Sequence, residues 1–136
     1  MKKLFSVKYS AAAFNFSMFF LRVVFGLLII IKHGYVKLRD FSTMQEHFYN
    51  FIGLGSKTSL ALAIFAEVLC ALFIVLGLFT RIATIPLIIM MLVAIFGASA
   101  GKPLLEAELA IVYLGAFVAL LLCGPGKISI DAMINR

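Results

Sequence analysis

A single acid inside an apolar run constrains this chain more than any other feature. From Leu60 to Phe79 every residue except Glu67 is apolar or glycine, and Gly77-Leu78-Phe79-Thr80-Arg81 closes the run. A helix of about 20 such residues matches the hydrocarbon thickness of a bilayer. A carboxylate at that depth is costly, so it marks a functional or pairing site. What Glu67 faces is therefore the first question to put to the rest of the sequence.

Composition sets the class. Hydrophobic residues make up 64% of the 136 residues, charged residues 13%, and the mean hydropathy is +1.14. A soluble domain of this length has no core large enough to hide that much apolar surface. The expected fold is all-α, a polytopic membrane protein forming one four-transmembrane-helix bundle, with a short amphipathic helix between the first two spans. The net charge of +6 is spread over loops and termini. It fits contact with the bilayer surface and control of orientation, not nucleic-acid binding.

The spans expected are 14–32, 58–79, 82–100 and 104–123. The first is uncleaved: it is too long for a signal peptide, contains Arg22, and Ala11-Ala12-Ala13 lies on the wrong side of it for cleavage. Asn15, Arg22, Gly26 and His33 fall on one stripe of that helix, since seven and eleven residues nearly complete whole turns. Ala63, Glu67, Cys70, Ala71 and Ile74 share a face of the second. Pro86 is expected in the first turn of the third, where a missing N–H costs little. Glu106 and Glu108 suit the positive end of the fourth helix's dipole, and Glu108, Val112, Gly115 and Ala119 form a candidate inward face. Between spans one and two, Ser42 with Gln45 or Thr43 with Glu46 has capping-box spacing. An amphipathic helix over residues 43–52 is expected after it, either an interfacial anchor or a lid.

Arg22 and Glu67 are the two charges deepest in the spans. At about 1.5 Å per residue they differ in depth by roughly 6 Å, which a guanidinium can bridge, so an Arg22–Glu67 ion pair is expected. His33, Lys37, Glu46, His47, Glu106 and Glu108 would ring the opposite interface. That set reads either as the mouth of a polar cavity floored by the pair or as separate anchors around a packing device. No phosphate loop, HExxH or serine elbow is present, and two histidines are too few for an all-histidine metal centre. Cys70 and Cys123 have no CxxC partner, so a redox dithiol would require the fold to bring them together.

Six positive charges (Lys2, Lys3, Lys8, Arg81, Lys127, Arg136) fall on the side of the termini, against five (Lys32, Lys37, Arg39, Lys57, Lys102) on the other. By the positive-inside rule this slight excess favours cytoplasmic termini.

In order along the chain, Leu21-Arg22 with Gly26, His33-Gly34 with Lys37, Glu67, Gly77-Leu78-Phe79-Thr80-Arg81, Glu108, and Gly124-Pro125-Gly126-Lys127-Ile128-Ser129-Ile130-Asp131 resemble the DoxX family of small bacterial membrane proteins. The resemblance implies a four-helix bundle in the bacterial cytoplasmic (inner) membrane with both termini cytoplasmic. It directs attention to Arg22, His33, Lys37, Glu67, Arg81, Glu108, Ser129 and Asp131. Some members of that family are named as subunits of quinone-reducing sulfur-oxidising enzymes or of membrane oxidoreductase assemblies.

Two functions follow as expectations. The first is a redox-associated subunit binding a quinone or similar lipophilic molecule, with Arg22, His33, Lys37, Glu67 and Glu108 as ligand-binding candidates and Gly26, Arg81, Ser129 and Asp131 as structural positions. An electron-donating partner protein would then be needed, because the chain carries no electron carrier of its own. The alternative is a non-catalytic assembly or maturation factor, or a small transporter component, in which the buried charges serve structure.

Overall fold

The chain is all-helical in a computed structural model that describes residues 2–98, 101 and 107–135, with no strand among them. After a single 3-10 turn, Lys2–Phe5, come α1 (Ala11–Arg39), α2 (Phe41–Met44), α3 (Ser56–Leu76), α4 (Thr80–Gly97), α5 (Glu108–Cys123) and α6 (Ile130–Ile134). The helices α1, α3 and α4 are long and apolar enough to cross a membrane, and α5 is a shorter apolar helix. Each packs on the next, and α1 meets α5 to close the ring. Leucine, isoleucine and phenylalanine cover the outer faces, among them Phe16, Leu62, Ile82 and Leu122. In a bilayer such surface needs no further cover.

Several boundaries differ from those read in the sequence. The first helix runs on to Arg39, seven residues past the expected end, so Lys37 belongs to it. Arg39 donates from its guanidinium to the Asp40 carboxylate just beyond, and that hydrogen bond holds the Asp40 carboxyl below its ordinary value. The expected amphipathic helix over 43–52 is replaced by the one-turn α2 and a loop. Left-handed backbone at Ile52 (φ 45°), Gly53 and Gly55 stops helical winding. The polar side chains serve the loop instead: Asn50 Oδ1 accepts from Gly55 N, and Ser59 Oγ accepts from Phe51 N. Pro86 lies two turns into α4 rather than in its first turn, because α4 begins at Thr80. Residues 99, 100 and 102–106, which hold the expected end of the third span, the start of the fourth, Lys102 and Glu106, lie outside the described residues, as does Arg136.

The ends of the long helices are tied together near the termini. Gly77, at φ 73°, ends α3 with a Schellman turn in which Leu78 N donates to Phe73 O and Gly77 N to Ile74 O. Arg22, 1% exposed, donates to the carbonyls of Ile74 and Val75 at 3.4 and 3.3 Å and to Ile128 O. It thereby adds a side-chain donor to carbonyls of the last turn of α3, Ile74 O accepting from Gly77 N as well. Asp131 accepts from Phe79 N and Thr80 N at 2.7 and 2.9 Å, capping α4 from 51 residues away. Its own N–H donates to Gly77 O, Ser129 caps α6, and Asn15 accepts from Lys127 N. Gly77 is packed so closely between Arg22 and Ser129 that no side chain fits.

Candidate functional site: a cavity at the far end of the bundle

At the end of the bundle away from this clasp, Glu67 meets Lys37 rather than Arg22. Lys37 Nζ lies 2.6 Å from Glu67 Oε1, and the two side chains are 14% and 2% exposed. The expected Arg22–Glu67 pair is not formed because helical side chains lean toward their own N-terminus. In antiparallel neighbours that lean separates them. Arg22 on α1 reaches down to the end of α3, whereas Glu67 on α3 reaches up toward the level of Lys37, which itself leans down to meet it. Arg22 also sits level with Ile74 and Val75, seven or eight residues from Glu67, an axial offset of about 10–12 Å.

The pair borders a cavity of about 250 Å³ lined by residues of all four long helices. Ile29, His33 and Lys37 come from α1, Glu67 from α3, Met90, Met91 and Ala94 from α4, and Leu109, Ala110 and Tyr113 from α5. Tyr113 is 5% exposed and edge-on to His33, with centroids 5.6 Å apart and planes at 90°. It also stacks on Phe117 and meets Phe25 edge-on, so its ring is fixed on three sides.

Backbone irregularity gathers at the same level. A π-type segment lies within α1 (Ile30–Gly34), within α3 (Phe65–Cys70) and across the end of α4 (Ala94–Ala98). The extra residue in such a turn rotates the remainder of the helix about its axis and often accompanies a functional site. Here His33, Glu67 and Ala94 lie within the three segments and line the cavity. Helices α1 and α3 approach closely at Gly34, where an added Cβ would stand 2.8 Å from Glu67 O and 2.7 Å from Val68 Cγ2. That contact sets the distance across which Lys37 meets Glu67.

Of the sequence-derived candidates, His33, Lys37 and Glu67 are brought together. Arg22 belongs to the clasp at the other end. Glu108 is exposed in the first turn of α5 and does not line the cavity, and Glu46 and His47 are in the loop, away from it. The inward face of α5 is Tyr113, Ala116, Phe117 and Leu120, not the Glu108 stripe. An acid in a first turn is stabilised by the helix dipole at the interface and gives little information about which face points inward. Tyr113 was missed because α5 is apolar all round, so its periodicity marks no inner face; its one buried polar handle was the available signal. Cys70 is buried and Cys123 exposed, both as free thiols, and no cluster of three metal-binding side chains occurs among the described residues.

Fold and cavity together define a helical membrane-bundle protein with a largely apolar pocket between its helices that holds one ion pair, one imidazole and one phenol. The DoxX family model matches residues 17–100, which take in α3, α4, most of α1 and the Lys37–Glu67 pair, and the chain belongs to the DoxX family. Comparison with curated proteins and with solved structures gave no match.

Proposed function

We propose that the cavity binds the head group of a quinone or a similar uncharged, ring-shaped lipophile, and that the protein serves as the membrane subunit of a quinone-linked redox assembly. The observation that carries this reading is the meeting of one neutralised ion pair, one imidazole and one phenol with an apolar wall of Ile29, Met90 and Met91. Lys37 and Glu67 cancel each other's charge, so a neutral ligand costs less to bind there than an ion. The Lys37 ammonium can donate to a ring carbonyl, and Tyr113 and the methionine thioethers suit the faces and edges of a ring. A volume of about 250 Å³ is below the ~300–1,000 Å³ that encloses a drug-sized ligand, so a ring enters and an isoprenoid tail stays among the lipids.

In this scheme Glu67 orients Lys37, and His33 passes protons to the ligand as a partner protein supplies electrons. Arg22 and Glu108 have no part in it. The membrane is the bacterial cytoplasmic one, with the clasp and both termini on the cytoplasmic side. The test is quinone content after gentle extraction, read by mass spectrometry, with the change in melting temperature on adding a short-chain quinone. Retained quinone, lost in Lys37→Met/Glu67→Gln, supports the reading; no retention and no shift in the wild type overturn it.

A second reading, a non-catalytic assembly subunit, is favoured by the direct contact of Lys37 with Glu67, which gives each charge its counter-charge without a ligand. The double variant Lys37→Met/Glu67→Gln, which leaves no charge unpaired, separates the two. Normal abundance with lost quinone binding fits the first, and lost abundance or partner capture fits the second.

A further inference from the structure

A second cavity lies at the clasp end, outside the site proposed above. It is an open groove of about 380 Å³ between the start of α4 and the C-terminal segment, bordered by Phe79, Arg81, Ile82, Pro125, Asp131 and Asn135. The Arg81 guanidinium packs against Gly124, so near that an added Cβ there would stand 3.0–3.3 Å from its Nη2, Nε and Cζ. The side chain is thus positioned while the residue stays exposed. Among the described residues no carboxylate lies within ion-pair distance of it. The one acid in the groove, Asp131, is committed to the N–H groups of Phe79 and Thr80.

Apolar surface runs upward from this point. Phe79 and Ile82 are 54% and 68% exposed, and Ile85 and Ile89 continue the outer face of α4 at helical spacing. Lys127, also exposed, adds a second cation at the same end of the bundle. A fixed guanidinium fork beside a lipid-facing aliphatic ridge complements a molecule that joins a phosphate to acyl chains.

We propose that this groove is a binding site for an anionic phospholipid, with the phosphodiester held by Arg81 and an acyl chain laid along Ile82, Ile85 and Ile89. The bidentate geometry of a guanidinium on phosphate favours Arg81 over Lys127 as the principal contact. Lys127 supplies the added attraction that distinguishes an anionic head group from a zwitterionic one.

Delipidated full-length protein, titrated with phosphatidylglycerol or phosphatidylcholine in detergent and read by native mass spectrometry and thermal unfolding, tests the site. The expected result is at least fivefold greater retention of phosphatidylglycerol and a higher melting temperature with it. Arg81→Gln should remove the preference and Arg81→Lys should keep only part of it, whereas Lys57→Gln at the opposite end should leave it intact. Equal retention of the two lipids by the wild type overturns the proposal, and that comparison needs no variant to fold. Displacement of the lipid by millimolar inorganic phosphate identifies a free-phosphate site instead and likewise overturns it. Quinone retention is measured on the same preparations, so failure of either site is seen separately.

Discussion

Lys37 and Glu67, 30 residues apart in sequence, form a nearly dry ion pair 2.6 Å long between two antiparallel helices. Each is reached from the other because both side chains lean toward their own helix N-termini. The bundle therefore keeps this pair in a cavity layer, apart from a clasp layer that holds Arg22 and Asp131.

Breaking the pair on one side should cost more than removing both charges. Glu67→Gln leaves a largely buried ammonium without its counter-charge and should destabilise the bundle by about 3 kcal/mol. In Lys37→Met/Glu67→Gln the two groups become neutral together, and most of that loss should return. Unfolding of the single and double variants in one detergent measures the coupling; strict additivity of the two single changes would refute it.

Gly34 and Gly115 offer a contrast between two glycines in the long helices. A Cβ at Gly34 meets the Glu67 carbonyl at 2.8 Å, whereas at Gly115 nothing lies within 4 Å. Gly34→Ala should force α1 and α3 apart and cost about 1–3 kcal/mol. Gly115→Ala should be neutral or gain up to about 1 kcal/mol through helix propensity. Thermal unfolding of the two variants side by side checks both signs.

Much of the architecture was legible in the sequence. The run from Leu60 to Phe79 located a span, and its Ala63–Glu67–Cys70–Ala71–Ile74 face is buried as the periodicity indicated. The Asn15–Arg22–Gly26–His33 stripe likewise turns away from the outer surface of the bundle. The pairing of charges was not legible, because depth counted in residues ignores the direction in which a helical side chain leans. The continuation of α1 to Arg39 was hidden by the polar residues after Lys32, which read as a loop when Lys37 is not known to be neutralised inside. The inner face of α5 was hidden by its uniform apolarity, which suits both lipid and core.

Arg22 should prove structural, not ligand-binding. Its guanidinium reaches three carbonyls, on Ile74, Val75 and Ile128, and so joins α1 to the end of α3 and to the C-terminal segment. Arg22→Met should lower abundance and melting temperature, while the protein that does fold keeps ligand affinity at the far cavity unchanged. Loss of ligand affinity at full stability would place Arg22 in the binding site after all.

Asp131 supplies the last test, because it caps a helix it does not belong to. Its two oxygens accept from Phe79 N and Thr80 N, and its negative charge sits at the positive end of the α4 dipole. Asp131→Ala removes both contributions and should cost about 1–2 kcal/mol. Asp131→Asn keeps one acceptor oxygen but loses the charge, and should fall between Asp131→Ala and the wild type. Hydrogen exchange offers the sharper readout: faster exchange confined to the first turn of α4 and to α6 is expected, with the π-type segments around the cavity unaffected. Uniform loss of protection through all four long helices would mean that the C-terminal segment holds the whole bundle closed rather than finishing one end of it.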